Sequence, residues 1–185
     1  MIRSNPACRC DKILLMAKEA TFVMVKPDGL KKSLTGNILT KLAETKLIII
    51  GARVVRPSTE LLEKHYFHLK DKPFFADLVG YMQGKVHGYP YDRVLAMVYT
   101  GEDAVAKVRA IVGATNPEQA EPTTIRGSYG RILTSGIFEN VIHASSDPQE
   151  AEREIKLWFR PEDLVDPVFP AKQTTANGTY SLVWA

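Results

Sequence analysis

The stretch from Asn140 to Phe159, NVIHASSDPQEAEREIKLWF, holds the residues best suited to chemistry. His143 is a lone imidazole at the end of a short apolar run. Imidazole is largely neutral near pH 7 and can attack an electrophile, move a proton or bind a metal. Asn140 stands three positions before it, and the small residues Ala144, Ser145 and Ser146 after it leave room for a ligand. Glu154 follows on a helical stretch, three residues after Ala151 and four before Trp158. That spacing places it at the edge of the apolar face made by Ala151, Ile155, Trp158 and Phe159, where a carboxylate needs a partner. Two readings stand for Glu154: a rim glutamate reaching water, or a carboxylate that contacts His143 and orients it for nucleophilic attack. A lone histidine in a strand is most often a hydrogen-bonded core residue, so the chemical reading rests on the combination.

Three cations lie elsewhere. Lys26 closes the apolar run TFVMV just before PDGL, Arg109 sits at the edge of a helical apolar face, and Arg126 sits among the turn formers of TTIRGSYG. Each alone reads as a surface cation; together, on three elements, they could clamp a polyphosphate. Two other patterns fail. GYMQGKV has the wrong glycine spacing for a phosphate loop and Val86 where Ser or Thr is needed. His65 and His68 share a helix side without a third ligand, and read as surface histidines rather than a zinc site.

The elements that must position these residues follow from periodicity. Thr21–Val25, Leu47–Val55, Arg93–Tyr99 and Asn140–Ala144 read as strands. A helix carries Leu34, Ile38 and Leu42, another carries Leu62, Tyr66 and Leu69, and a third, PFFADLVGYM, bears two apolar stripes: Phe75, Val79 and Met82, and Phe74, Leu78 and Tyr81. DAVAKVRAIV is a helix stopped by Gly113. The last helix has Asp147 as cap, Pro148 in its first turn and Glu150 three residues after the cap. The order β-α-β-α-α-β-α-β-α fits an α+β sandwich with helices packed on a sheet.

The chain of 185 residues, 45% hydrophobic, suits one compact domain, expected over residues 20–165. Residues 1–19 read as a loose extension, and residues 166–185 as a mostly irregular tail. With 24 basic and 21 acidic residues the net charge is +3, too small to point to nucleic acid. No apolar run is long enough to span a membrane. The two cysteines, Cys8 and Cys10, make no disulfide framework, and a reducing, cytoplasmic setting is expected.

NVIHASSD resembles the active-site motif of nucleoside diphosphate kinases, and TFVMVKPDGL, HYFHLKDKPFFADLVGYM, GATNPEQAEPTTIRGSYG and AEREIKLWFRPEDLV are similar to further stretches of that family, in its order. The resemblance runs from about Thr21 to Val165. It implies a ferredoxin-like βαββαβ sandwich with additional helices, and transfer of the γ-phosphate of a nucleoside triphosphate to a nucleoside diphosphate. It implies His143 as the nucleophile, supported by Glu154 and Ser145, with Tyr66 beside it. It implies phosphate contacts from Lys26, Arg109, Thr115 and Arg126, ribose contacts from Lys26 and Asn140, and a base held between Phe74 and Leu78. An apolar slot without base-edge readers suits an enzyme that accepts many nucleotides. No acidic cluster offers a magnesium cage, so Mg²⁺ is expected to arrive on the phosphates of ATP or other nucleotides. A homo-oligomer is implied, a hexamer ahead of a tetramer, assembled through sheet edges and the loop at residues 114–130. The competing class is a non-catalytic nucleotide-binding or scaffold protein on the same fold. Three departures stand out: Ser146 replaces the usual Asp, Gln83–Arg93 is long, and Tyr129–Glu139 is long enough to bulge as a hairpin-like excursion.

Overall fold

The computed structural model describes residues 19–176 and 179–185; the expected loose extension, with both cysteines, lies almost wholly outside them. The elements run β1 (Glu19–Val25), α1 (Pro27–Lys31), α2 (Thr35–Ala43), β2 (Ile48–Val55), α3 (Thr59–His65), α4 (Phe75–Met82), β3 (Val94–Gly101), α5 (Ala104–Val112), α6 (Ile125–Tyr129), β4 (Arg131–Ile132), β5 (Phe138–Glu139), β6 (Ile142–Ala144), α7 (Pro148–Trp158), β7 (Ala171–Ala176) and β8 (Thr179–Trp184). Single 3₁₀ turns occupy Phe67–Leu69, Pro117–Gln119 and Pro161–Asp163. The main sheet has the order β2-β3-β1-β6, with every pairing antiparallel. This is the ferredoxin-like arrangement, with additional helices around it.

β1 explains why its sequence is apolar without alternation. It lies inside the sheet, and both of its faces are covered. Phe22 and Met24 join a core with Leu62, Tyr66, Ile155 and Trp158, under α3, α4 and α7. Val23 and Val25 join a second core with Ile38, Leu42, Val108, Val112 and Ile125, under α2, α5 and α6. Each such fully buried side chain contributes roughly 1.5–3 kcal/mol relative to exposure. The period of two then assigns His143: Ile142 and Ala144 face the second core, so His143 faces the first, opposite Met24 in register.

Several expected elements differ. PDGL forms a short helix, α1, and TTIRGSYG, read as turn formers, holds the short helix α6, capped by the Thr124 side chain on the Gly127 N–H. The helix through Leu69 ends at His65 and continues as a 3₁₀ turn. The tail expected to be irregular forms the hairpin β7–β8, with register from Ala171 opposite Trp184 to Ala176 opposite Thr179. Trp184 anchors it by donating its indole N–H to the Phe159 carbonyl at 2.8 Å.

The long segment 129–139 is a hairpin. β4 and β5 pair Arg131 with Glu139 and Ile132 with Phe138, and Gly136 turns the chain at φ +80°, a conformation glycine adopts without a Cβ penalty. Ile132, Leu133 and Ile137 are half-buried, whereas Phe138 is exposed. Its base is pinned by the buried Glu139 carboxylate, which meets Arg131 at 2.6 Å and Lys32 at 3.1 Å. The other long segment, between α4 and β3, is a run of turns whose Val86 and Tyr89 are exposed.

Candidate active site

Three elements converge on His143. β6 brings the imidazole, α7 brings Glu154, and the end of α3 brings His65 and Tyr66. Glu154 is buried, so the rim reading is overturned. Its Oε1 lies 2.8 Å from His143 Nε2, and its Oε2 accepts the Ser145 hydroxyl at 2.6 Å. Ser145 is itself fixed, because its Oγ accepts the Phe22 N–H at 3.2 Å. The Asp147 cap starts α7 where Glu154 reaches back to the strand, and it accepts the Glu150 N–H at 2.9 Å.

An ionised carboxylate can only accept, which assigns the proton to the ring nitrogen that faces it. Nε2–H donates to Glu154, so Nδ1 holds the lone pair, and among the described residues nothing hydrogen-bonds to Nδ1. The ring's side chain is 18% exposed, enough for one edge to meet a ligand. Burial, then the positive charges of Lys26, Arg126 and Arg153, hold the His143 pKa well below the usual histidine range. The ring is therefore neutral at pH 7, the state a nucleophile requires. Burial pushes the Glu154 carboxyl up, and His65, the Ser145 hydroxyl and Arg153 oppose that rise.

The strand leading to His143 is bent at its start. The Ile142 N–H donates to the Asn140 carbonyl at 2.6 Å across Val141, whose φ is +56°. This is a γ-turn, and a β-branched residue in it costs roughly 1–3 kcal/mol. The Val141 N–H is held by the buried Asp28 carboxylate at 3.0 Å, which secures the bend. The bend turns Asn140 toward β1. Lys26 Nζ donates to Asn140 Oδ1 at 2.7 Å, and Asn140 Nδ2 donates to the Thr115 carbonyl at 2.8 Å.

Arg126 is buried beside the same turn. Its Nε and Nη2 donate to the Ile142 carbonyl at 3.3 and 3.0 Å, and Nη1 donates to the Gly113 carbonyl at 3.0 Å. Those partners are neutral, so its charge is not cancelled. Burial and then Arg109 lower its pKa to about 10. Burial and then Arg126 lower Lys26 to about 8, with Asp28 opposing. Arg109 acts on Arg126 and Arg126 on Lys26, and cations crowded in this way are poised for an anion. Arg109 is exposed on α5 and lines a cleft with Ser146 and Asp147; among the described residues it makes no ion pair. The Thr115 side chain is also exposed.

The remaining expected residues are placed less tightly. The Tyr66 ring stands 6.3 Å from the His143 ring, centroid to centroid, and its buried hydroxyl has no partner among the described residues. Phe74 is exposed and Leu78 half-buried, while Tyr81, expected on their stripe, is buried in the core. The available stripe is thus Phe74 and Leu78 alone. No ring contact or hydrogen bond joins them to the His143 cluster among the described residues.

His65 corrects the reading of it as a surface histidine. It is buried, its ring lies 4.6 Å from that of His143, and its Nδ1 accepts the Trp158 indole N–H at 3.1 Å. Burial and then His143 keep its pKa well below the usual value, so it is neutral. His68, by contrast, is exposed. The available signal was the spacing: His65 follows Leu62 by three and precedes Leu69 by four, on the apolar face of its helix. His65, His143 and Glu154 lie close enough to suggest a metal. Their surroundings argue against a cation, since Lys26, Arg126 and Arg153 all act on His143, and the indole already occupies His65 Nδ1. Two imidazoles and one carboxylate are also a poor set for Mg²⁺, which prefers oxygen ligands. Among the described residues no helix is long and apolar enough to cross a membrane.

Comparison with known proteins bears on the family of the chain. The family model described as nucleoside diphosphate kinase matches residues 19–164. Nucleoside diphosphate kinase A of Canis lupus familiaris is 41% identical over 148 residues, covering 80% of this chain and 90% of that protein. The nucleoside diphosphate kinase of Symbiobacterium thermophilum is 43% identical, covering 76% and 87%. A solved structure of the Halobacterium salinarum nucleoside diphosphate kinase in complex with CDP superimposes with a TM-score of 0.71 at 44% identity, over 80% of this chain and 92% of that one.

Proposed function

We propose, from the premise that the chain belongs to the nucleoside diphosphate kinase family, that His143 is the residue through which its phosphoryl group passes. The chain is a phosphotransferase that moves the γ-phosphate of a nucleoside triphosphate to a nucleoside diphosphate. The alternative of a non-catalytic scaffold is not favoured.

The observation that carries the proposal is a neutral imidazole, tied through Nε2 to a buried carboxylate and open at Nδ1, beside cations that repel one another. In the first half-reaction the Nδ1 lone pair forms a bond to the γ-phosphorus. The bond from that phosphorus to the β,γ-bridging oxygen breaks, and the diphosphate leaves with the electron pair. Nε2–H stays on Glu154, whose negative charge offsets the positive charge that the ring gains. The second half-reaction is the reverse, with a terminal phosphate oxygen of the acceptor attacking phosphohistidine. One site thus serves both nucleotides in turn. Lys26, Arg109, Arg126 and the Thr115 hydroxyl stabilise charge on the transferring group. Asn140, held by Lys26, meets the ribose; Tyr66 flanks the histidine; Phe74 and Leu78 take the base. Mg²⁺ enters with the nucleotide, bound to its phosphates.

The direct test is incubation with γ-labelled ATP. Acid-labile, base-stable label on the protein is the expected result, and protein without label refutes the covalent route. Lys26 supplies a second prediction. Its pKa of about 8 means that it loses its charge as pH rises through that value in the free enzyme. Bound phosphates favour the charged form, so kcat/KM falls several-fold by about pH 9 while kcat at saturation holds. A kcat/KM flat across that range would remove Lys26 from the phosphate site.

Two further readings complete the proposal. A homo-oligomer, a hexamer ahead of a tetramer, is supported by the open edge strand β2, whose Ile48, Ile49 and Val54 are exposed. Light scattering at micromolar concentration is expected to give a multiple of the 20.6 kDa chain mass, and a monomer contradicts it. A cytoplasmic setting is supported by the lack of a disulfide framework.

A further inference from the structure

Arg153 is adjacent to Glu154 on α7 but points to a different partner. Nη1 donates to the Lys64 carbonyl at 2.9 Å and Nη2 to the His65 carbonyl at 3.0 Å. These are end carbonyls of α3, which the helix itself leaves without donors, at the negative end of its dipole. The guanidinium also lies over the Phe67 ring, 4.8 Å from its centroid. Glu150, one turn back on α7, holds the fork in place through Nε and Nη2 at 3.1 and 2.7 Å. Arg153 therefore ties α7, which carries the acid–imidazole pair, to the point where α3 ends and the chain sets out toward Phe74 and α4.

That segment otherwise touches the core through Leu69 and is held by its own turn hydrogen bonds. Phe67, His68, Lys70 and the run Asp71–Phe74 are exposed, and only Leu69 is half-buried. Beyond Phe74, Val79, Tyr81 and Met82 are buried. Gln83 Nε2 meets Thr59 Oγ1 at 3.1 Å, which joins the far end of α4 to the start of α3. The near end, which bears Phe74 and Leu78, rests on the core through Phe75 and Leu78, and the chain enters it from the point where α3 stops.

We propose that Arg153 is a positioning residue for nucleotide binding: it sets the distance between the base slot at Phe74 and Leu78 and the phosphoryl acceptor His143, without taking part in the transfer. This rests on the reading of those residues as base slot and nucleophile. The slot and the acceptor sit on different elements, so a nucleotide that spans both is sensitive to their separation, whereas a small phosphoryl donor is not.

The experiment compares two donors to His143 in the full-length protein: ATP, which fills the base slot, and phosphoramidate, which has no base. The main variant is Arg153→Lys, which keeps the charge near His143 but cannot span two carbonyls. Arg153→Met removes the charge as well, and Phe67→Leu removes the ring while leaving both carbonyl bonds. Circular dichroism and thermal unfolding establish which variants fold; if Arg153→Met does not, the other two carry the test. The expected result for Arg153→Lys is about a tenfold loss in the second-order rate with ATP, expressed as a higher KM, and less than a twofold change with phosphoramidate. Phe67→Leu is expected to shift the same ratio in the same direction by a smaller factor. Equal losses with both donors overturn the proposal, since Arg153 then acts on the His143–Glu154 chemistry. Unchanged rates with both overturn it too. The wild-type label from ATP tests the nucleophile independently, so failure of that reading is distinguishable from failure of this one.

Discussion

His143→Ala is expected to abolish incorporation of phosphate from γ-labelled ATP and to lower turnover by a factor on the order of 10⁴ or more, because it removes the atom that bonds to phosphorus. Nothing near it can substitute. His65 has the right chemistry but is buried, and its Nδ1 is engaged by the Trp158 indole. Tyr66 is also buried, and burial pushes its hydroxyl pKa upward, further from nucleophilic character at pH 7. The substitution also leaves Glu154 with one donor, the Ser145 hydroxyl, where it had two. A buried carboxylate that loses a donor is costlier to keep ionised, so its pKa is expected to rise further. His143→Asn is the companion variant, retaining a polar side chain opposite Glu154 while lacking the imidazole. If either variant, folded, still takes up acid-labile phosphate, His143 is not the acceptor.

His143 stood out in the sequence as a candidate because its neighbours differ in type. A histidine followed by Ala144, Ser145 and Ser146, with a carboxylate at the edge of the next apolar helix face, is a specific combination. The same reasoning located Lys26, Arg109 and Arg126 but did not show that they converge. Convergence depends on the sheet order β2-β3-β1-β6, which sets the end of β1 beside the start of β6. The strand at Asn140 was expected too long because propensity cannot register a γ-turn at a valine. That bend exists because Asp28, far away in sequence, accepts the Val141 N–H. His65 was misplaced for a different reason: its spacing from Leu62 and Leu69 put it on the apolar face of its helix, but the partner that satisfies a buried imidazole, the Trp158 indole, lies far away in sequence. The β7–β8 hairpin was missed because Lys172–Thr175 is polar and stays largely exposed, so that the alternation of Tyr180, Leu182 and Trp184 was not paired with a partner strand; Trp184 anchors the hairpin through its indole. Arg153 reads in sequence as an ordinary helix-surface cation, and only the end of α3 beside it makes it more.

Glu154→Gln is the sharper probe of how the site works, and it is expected to slow the phosphorylation of His143 by about 10²–10³-fold, the range found when one key charge-stabilising group is removed. The side chain has nearly the same shape. Its amide oxygen can still accept from His143 Nε2–H, so the tautomer with Nδ1 open is retained. Its amide nitrogen then faces Ser145 Oγ, which can accept from it and turn its own proton to the Phe22 carbonyl, already 3.3 Å away. The hydrogen bonds survive and the fold is expected to be intact; what is lost is the negative charge. That charge matters only while the ring is becoming phosphoimidazolium, so the loss should fall on the single-turnover rate rather than on nucleotide affinity. The pH profile separates charge from position. Burial raises the pKa of Glu154 above the ordinary carboxyl value, so in the wild type protonation sets in sooner as pH falls and the rate declines with it. His143 contributes little to that limb, because its own pKa is held well below the usual value and the ring stays neutral. Glutamine does not titrate, so the variant is expected to be slow at every pH and flat on the acid side. A variant that transfers phosphate at the wild-type rate would reduce Glu154 to a holder of the tautomer. A variant that is slow but keeps the acid limb would assign that limb to another group.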